Sequence, residues 1–155
     1  MQTVVVYYSR YGTTRTIAQT LAAELGAEVR EIKAVRERGF LGMGLRAVWG
    51  IPMGIRPMDL DFAEVERIVL CTPIWAGKPA NPVRTFLKEA QIEGKRLAVL
   101  FTAGGGKTGR AREMIRNSLA GKRVEVTFLG EIVTRKVGED QLRAEARKFA
   151  RALQG

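Results

Sequence analysis

Hydroxyl side chains cluster in the segment 9–14, where Ser9, Thr13 and Thr14 surround Gly12 just before a helical pattern. The start of a helix offers unpaired backbone N–H groups and the positive end of the helix dipole, so an oxygen-rich anion fits there. A helix at this position also needs an N-cap, which Thr13 or Thr14 could provide. The segment alone therefore leaves an anion site and simple N-capping equally open.

A flat aromatic residue and a run of glycines follow later in the chain. Trp75 lies between Pro73 and Gly77, where an indole can stack on a planar ligand ring or fold back onto the next helix. Three successive glycines at 104–106 allow the backbone to pass close to a ligand. Phe101 stands where a Walker phosphate loop needs glycine, and residues 9–14 lack the Gly-x-Gly-x-x-Gly pattern of dinucleotide sites.

The composition excludes several kinds of chemistry. The chain has 155 residues, no histidine and one cysteine, which excludes Ser-His-Asp triads, Cys-His dyads and His-ligated metals. We therefore expect a bound cofactor to supply any chemistry, and we predict neither catalytic side chains nor metal ligands. Cys71 ends the apolar run 68–71, which predicts an inert core thiol.

Apolar runs alternate with helical patterns along the whole chain. They predict strands at 3–8, 27–33, 67–72, 96–102 and 123–133, and helices near 14–25, 80–91, 108–120 and 138–153. Buried strands that are each followed by a helix indicate a single α/β domain over 1–155, with a parallel sheet covered on both faces. Such sheets bind ligands beyond the carboxyl ends of their strands, which is where the three segments described above fall.

The stretch 36–57 interrupts this alternation. It mixes glycine, proline and basic residues with large apolar residues such as Phe40 and Trp49, which predicts an irregular apolar-basic insertion. A loop this long in a compact domain is usually functional. Alternatively, the insertion covers one face of the sheet in place of a helix.

Three loops in this order resemble those that bind flavin in flavodoxins and flavodoxin-like FMN proteins. The first loop (residues 9–14) resembles the phosphate loop of the family, with Tyr11 replacing the usual Thr. The second loop (72–79) resembles the aromatic loop beside the flavin, and the third loop (102–108), with Phe101 before it, resembles the glycine-rich one. Residues 39–42 are also similar to a stretch in one flavodoxin subgroup, so the resemblance covers nearly the whole chain.

The resemblance implies a flavodoxin-like doubly wound fold, with a five-stranded parallel sheet in the order 2-1-3-4-5. It implies FMN as cofactor and electron transfer as function, either as a carrier or as a small oxidoreductase using a nicotinamide or a quinone. The implied cofactor-binding residues are Ser9, Arg10, Tyr11, Gly12, Thr13, Thr14, Thr72, Pro73, Ile74, Trp75, Ala76, Gly77, Thr102, Ala103, Gly104, Gly105 and Gly106.

The charge departs from the family pattern, because electron-shuttling flavodoxins are typically acidic whereas this chain carries a net charge of +10. We expect Lys78, Lys107, Arg110 and Arg112 near the flavin edge, which favours an anionic redox partner, either a protein or a small molecule. We expect no nucleic acid and at most peripheral contact with a membrane. The alternative hypothesis is a flavin-free basic module that binds nucleic acid or an anionic membrane surface.

Two further features concern location. No basic leader or cleavage site precedes the first apolar run, and a single cysteine allows no internal disulfide. A cytoplasmic protein is the simplest expectation.

Overall fold

The computed structural model describes residues 2–35 and 54–155. The strands are β1 (Thr3–Tyr7), β2 (Glu28–Glu31), β3 (Arg67–Trp75), β4 (Lys78–Pro79), β5 (Arg96–Ala103) and β6 (Glu125–Val133). The described helices are α1 (Thr13–Leu25), α2 (Asn81–Glu89), α3 (Gly109–Ser118) and α4 (Glu139–Gln154).

Five strands form a parallel sheet in the order β2-β1-β3-β5-β6. This confirms the predicted order, because the five strands are the five that the apolar runs indicate. The difference is β4, a two-residue strand that pairs antiparallel with the end of β3. Two residues after a tight turn are too few to give a hydrophobic pattern, so β4 leaves no signal in the sequence.

Helices cover both faces of the sheet, as predicted. On one face α2 and α3 bury Phe86 and Ile115, and on the other face α1 and α4 bury Ile17 and Ala146. Cys71 lies in the second of these two cores and is fully buried. Burial raises the pKa of its thiol to about 12, so the thiol stays protonated and unreactive at neutral pH.

A β-bulge interrupts β6 opposite β5. Val99 pairs with Phe128 and the next residue, Leu100, pairs with Gly130, so Leu129 is an extra residue in the strand. Gly130 has φ +134, a backbone conformation that residues with a side chain rarely adopt. The bulge shifts the pairing register of the remainder of β6 by one residue relative to β5.

Most of the predicted insertion 36–57 lies outside the described residues, as do residues 39–42. Its described end returns beside β2, where Ala34 and Ile55 form an antiparallel bridge. The amide of Val35 donates to the carbonyl of Gly54 at 3.0 Å. Among the helices in the described ranges, none is long and apolar enough to cross a membrane.

Candidate functional site

The three loops meet at the carboxyl edge of the sheet, because the neighbouring strands β1, β3 and β5 lead into them. The second loop, predicted to follow a strand that ends at residue 72, instead contains the end of β3, a two-residue turn and β4. A cavity of about 200 Å³ lies between them, and a second one of about 350 Å³ adjoins it, sharing Ile74, Ala103 and Gly104. Together they form one cleft, called the carboxyl-end cleft below. A cleft at this edge is where open parallel sheets bind their ligands.

The structure places most of the predicted cofactor-binding residues around this cleft. The first cavity is lined by Ser9, Arg10, Tyr11, Thr13, Thr14, Pro73, Ile74, Trp75, Thr102, Ala103, Gly104 and Thr134. The second cavity adds Ala76, Gly77, Gly105, Gly106, Lys107 and Glu131. Of the predicted residues, Gly12 and Thr72 line neither cavity.

Gly12 and Thr72 act through their neighbours instead. The amide of Gly12 donates to Ser9 Oγ at 2.9 Å, in a left-handed conformation with φ +92 at the start of α1. Thr72 is fully buried, and its hydroxyl donates to the carbonyl of Pro73 at 3.0 Å. Both residues therefore shape the loops that line the cleft.

The amino end of α1 opens toward the cleft. Gly12 is its N-cap residue, no side chain in the described part of the protein caps the helix, and its first turn contains no acidic residue. Thr13 is already helical, and the Thr14 hydroxyl is hydrogen-bonded to the hydroxyl of Thr102 at 2.8 Å. The structure therefore contradicts N-capping by Thr13 or Thr14, and the backbone N–H groups of the first turn are available to an anion.

The Thr14–Thr102 hydrogen bond also fixes the first loop against the third. Both threonines are buried, although their positions in the sequence are 88 residues apart. Thr134, just after β6, holds the third loop from its other side, with its amide 2.8 Å and its hydroxyl 3.2 Å from the carbonyl of Ala103. These hydrogen bonds join the base of the cleft to β6 and to the start of α1.

Trp75 lies at the rim of the cleft with 37% of its surface exposed. Its indole packs edge-on against Tyr8, with ring centroids 5.7 Å apart and planes at 78°. The guanidinium of Arg10 lies 6.0 Å from the centre of the same ring. These contacts hold the indole beside the first loop, where its face can stack on a planar ligand.

A tight turn positions Trp75. Ala76 and Gly77 both have positive φ, at +52 and +78, between the paired residues Trp75 and Lys78. This is the type I′ geometry of a two-residue hairpin, and Ala76 is strained in it because it carries a Cβ. The turn places the end of β3 as a wall on one side of the cleft.

The glycines of the third loop form the facing wall. Gly105 and Gly106 have φ +106 and +119, conformations that favour glycine. A Cβ added at Gly104, Gly105 or Gly106 would meet no atom within 4 Å, so the backbone here faces open space. The main chain of residues 104–106 is therefore open to close approach by a flat ligand.

Two lining residues, Thr134 and Glu131, were not predicted from the sequence, nor was Tyr8, which packs against Trp75. Burial raises the pKa of Tyr8, so its phenol stays protonated at neutral pH. Glu131 is unusual because its Oε1 atom is buried and has no hydrogen-bond partner in the described part of the chain. A glycine inside a strand, here Gly130, is the sequence signal of a bulge that could have drawn attention to it.

The four basic residues expected at the rim divide into two groups. Lys107 lines the cleft, Arg110 reaches within 4.0 Å of where a Cβ on Gly77 would lie, and Lys78 lies on β4. Arg112 points elsewhere, as its Nε donates to Thr108 Oγ1 at 3.1 Å and its guanidinium lies over the ring of Phe128. Lys107 and Arg110 are called the basic rim below.

Comparisons with solved structures identify the architecture. A flavoprotein from Lactobacillus acidophilus, solved in complex with FMN, is 22% identical and superposes with a TM-score of 0.69 over 84% of this chain and 92% of that one. A flavodoxin from the domain Archaea covers 100% of both chains at 18% identity and a TM-score of 0.61. Flavodoxin 2 of Bacillus cereus covers 98% of this chain and 99% of its own at 17% identity, with a TM-score of 0.56.

These likenesses establish that the chain has a flavodoxin-like fold. In sequence, an uncharacterized protein of Archaeoglobus fulgidus is 29% identical over 111 residues, which are 72% of each chain. No protein-family model matches the chain.

Proposed function

We propose that the protein binds FMN in the carboxyl-end cleft and transfers electrons through it. The observation that carries this proposal is that the two ends of the cleft differ in chemistry. One end is the uncapped start of α1, with the hydroxyls of Ser9 and Thr13, and the other lies between Trp75 and the glycines of the third loop. A ligand with one phosphate and one flat ring matches both ends.

The residues present fit FMN. The N–H groups of the first turn of α1 would bind the phosphate, supported by the helix dipole. Trp75 would stack on the isoalloxazine, and the main chain of residues 104–106 would lie against the ring. When bound, the isoalloxazine supplies the redox chemistry, and the protein contributes binding, orientation and electrostatics.

Three comparisons support this proposal. The similar flavoprotein from Lactobacillus acidophilus binds FMN, and two further similar chains are flavodoxins. The absence of histidine from the chain is compatible with electron transfer, because the protein needs to supply no acid or base. The same cleft would serve an electron carrier or a small oxidoreductase that uses a nicotinamide or a quinone.

An absorbance titration tests the proposal. The apoprotein is titrated with FMN, and we expect saturable binding at one site, a shifted flavin spectrum and quenched tryptophan fluorescence. An apoprotein that leaves the FMN spectrum unchanged contradicts the proposal. In that case, binding to anionic vesicles or to nucleic acid would favour a flavin-free basic module, which the net charge of +10 supports.

A second measurement separates an enzyme from a carrier. FMN-loaded protein is mixed anaerobically with NADH or NADPH, and flavin bleaching is followed at about equal concentrations. Rapid loss of the flavin absorbance, followed by its recovery when a quinone is added, supports the oxidoreductase. Slow bleaching by both nicotinamides, with fast reduction by a reduced protein donor, supports the carrier.

A further inference from the structure

The bulge in β6 sets the direction in which Glu131 points. Without the extra residue Leu129, strict alternation from Phe128 would place residue 131 on the face of the sheet covered by α1 and α4. With the bulge, Glu131 pairs with Phe101 and lies on the opposite face, which α2 and α3 cover. Bulges often redirect a side chain next to a binding site, and this one directs a carboxylate into the cleft.

The Glu131 carboxylate lines the second cavity with an unsatisfied atom. Its Oε1 is buried without a hydrogen-bond partner among the described residues. A buried acceptor without a donor costs free energy, so such an atom in a cleft favours a ligand that brings a donor. Lys107 lines the same cavity, but no ion pair joins it to Glu131 in the described part of the chain.

The cavity that holds Glu131 lies away from the proposed phosphate site. It is lined by the second loop, the third loop and β6, whereas the described residues of the first loop line only the neighbouring cavity. A ligand with its phosphate at the start of α1 would therefore present its ring to Glu131. Oxidised isoalloxazine has one N–H group, the imide N3–H.

We propose that Glu131 is a binding-site residue whose carboxylate accepts a hydrogen bond from the N3–H of the bound flavin. This inference rests on the proposed FMN function and adds a recognition residue to it. The carboxylate would distinguish a ring with an imide N–H from one in which that position is methylated. A charged acceptor in a shielded cavity makes a stronger hydrogen bond than a neutral one.

The test compares two ligands against three variants. Apoprotein is titrated with FMN and with 3-methyl-FMN, in which a methyl group replaces the N3 hydrogen. Glu131→Met keeps much of the side-chain shape and removes the acceptor, and Glu131→Gln keeps a neutral acceptor. Glu125→Gln, an exposed carboxylate at the other end of β6, is the matched control.

We expect the wild type to bind FMN at least about tenfold more tightly than 3-methyl-FMN, as befits a hydrogen bond to a charged group. Glu131→Met should bind FMN about tenfold more weakly and lose most of this preference. Glu131→Gln should show a smaller loss of both, and Glu125→Gln should behave as the wild type. If Glu131→Met does not fold, the reduced affinity and preference of Glu131→Gln carry the test.

Two results would overturn the inference in distinguishable ways. Wild-type protein that binds FMN, with Glu131 variants that keep both the affinity and the preference, overturns the role of Glu131 alone. Wild-type protein that binds neither flavin overturns the proposed function and this inference with it. Urea denaturation of each apoprotein separates lost binding from lost folding.

Discussion

The carboxyl end of α2 and the amino end of α1 differ in how their unpaired backbone groups are satisfied. At the end of α2, the ammonium of Lys122 donates to the carbonyls of Leu87 at 2.7 Å, Lys88 at 2.8 Å and Ala90 at 3.1 Å. At the start of α1 the N-cap position is Gly12, and no side chain of residues 2–35 or 54–155 caps the N–H groups. Both ends expose backbone groups that need partners, but the protein supplies them at only one.

The two ends also lie at opposite edges of the sheet. Lys122 precedes β6 and lies at the amino edge of the parallel strands, whereas α1 begins just after β1 at the carboxyl edge. Lys122 is half-buried, and this desolvation lowers the pKa of its ammonium, while the charge of Glu93 acts in the opposite direction. At the amino edge, called the closed edge below, a side chain of the protein satisfies the helix end. At the carboxyl edge, the N–H groups at the start of α1 remain for a ligand to bind.

Giving α1 its own negative charge tests this contrast most severely. In Thr13→Asp the carboxylate would interact with the N–H groups of the first turn and stabilise the apoprotein by about 0.5 kcal/mol. The same charge would repel the phosphate a few ångströms away, so we expect FMN affinity to fall at least about a hundredfold. Riboflavin, which lacks the phosphate, should lose little affinity.

The control is Thr13→Asn, which has the shape of the aspartate without its charge. Isothermal or fluorescence titration of the wild type and both variants with FMN and riboflavin gives the six affinities needed. Wild-type protein should itself prefer FMN to riboflavin by about a hundredfold or more, because the phosphate makes several charged hydrogen bonds. Equal affinities for the two flavins would exclude a phosphate site at α1.

Removing the ammonium at the closed edge should affect stability and leave binding intact. Lys122→Met keeps the length of the side chain but leaves three carbonyls at the end of α2 without their donor. We expect the free energy of unfolding to fall by about 1–3 kcal/mol. FMN affinity should stay within about twofold of the wild type, since the cleft lies at the other edge.

Lys148→Met provides the matched control, because the one ion pair of Lys148 with a described residue is an exposed one, with Glu145 on α4. Its unfolding free energy should change by less than about 0.5 kcal/mol. Urea denaturation followed by circular dichroism measures both variants. A Lys122→Met protein as stable as Lys148→Met would show that the hydrogen bonds of Lys122 at the closed edge contribute nothing to the free energy of unfolding.

Trp75→Ala addresses the ring end of the cleft. The indole presents its surface beside the first loop, so its loss should weaken FMN binding about tenfold and shift the reduction potential of the bound flavin. Trp75→Phe should retain most of the affinity. Trp49 is replaced by Phe beforehand, so that quenching of the remaining indole reports on Trp75 alone. Unchanged affinity and potential in Trp75→Ala would contradict stacking.

The central strands β1, β3 and β5 could be predicted because each contains a continuous apolar run, whereas the strand order came from the resemblance to flavodoxins. The carboxyl-edge location of the loops follows from that topology, which is why most predicted site residues line the cleft. By contrast, residues 9–14 alone could not distinguish an anion site from a capped helix. The distinction depends on Thr102, which engages the Thr14 hydroxyl from 88 positions away.

Glu131 shows a second limit of sequence reasoning. Its direction depends on one extra residue, Leu129, and a shift of one position reverses the face on which every later side chain lies. The pattern from Glu125 to Val133 predicts a strand but contains no clear sign of the bulge beyond Gly130. Arg112 was misplaced for a similar reason, since its contact with Phe128 depends on how α3 packs on β6.

The basic rim gives the prediction with the smallest expected effect. Lys107 and Arg110 lie beside the cleft, and neither has an acidic partner in the described ranges. We propose that this rim attracts an anionic donor or acceptor, such as a nicotinamide dinucleotide phosphate or an acidic protein. The rate constant for flavin reduction by such a donor should fall several-fold between about 0.05 and 0.5 M salt, because screening shortens the range of the attraction.

The double variant Lys107→Gln, Arg110→Gln should show a weaker salt dependence. The control Arg123→Gln replaces an exposed residue at the amino edge and should leave the salt dependence unchanged. Stopped-flow mixing across the salt series measures these rates. A rate that is independent of salt would mean that the rim serves solubility alone, and the asymmetry between the two edges of the sheet would then be confined to the helix ends.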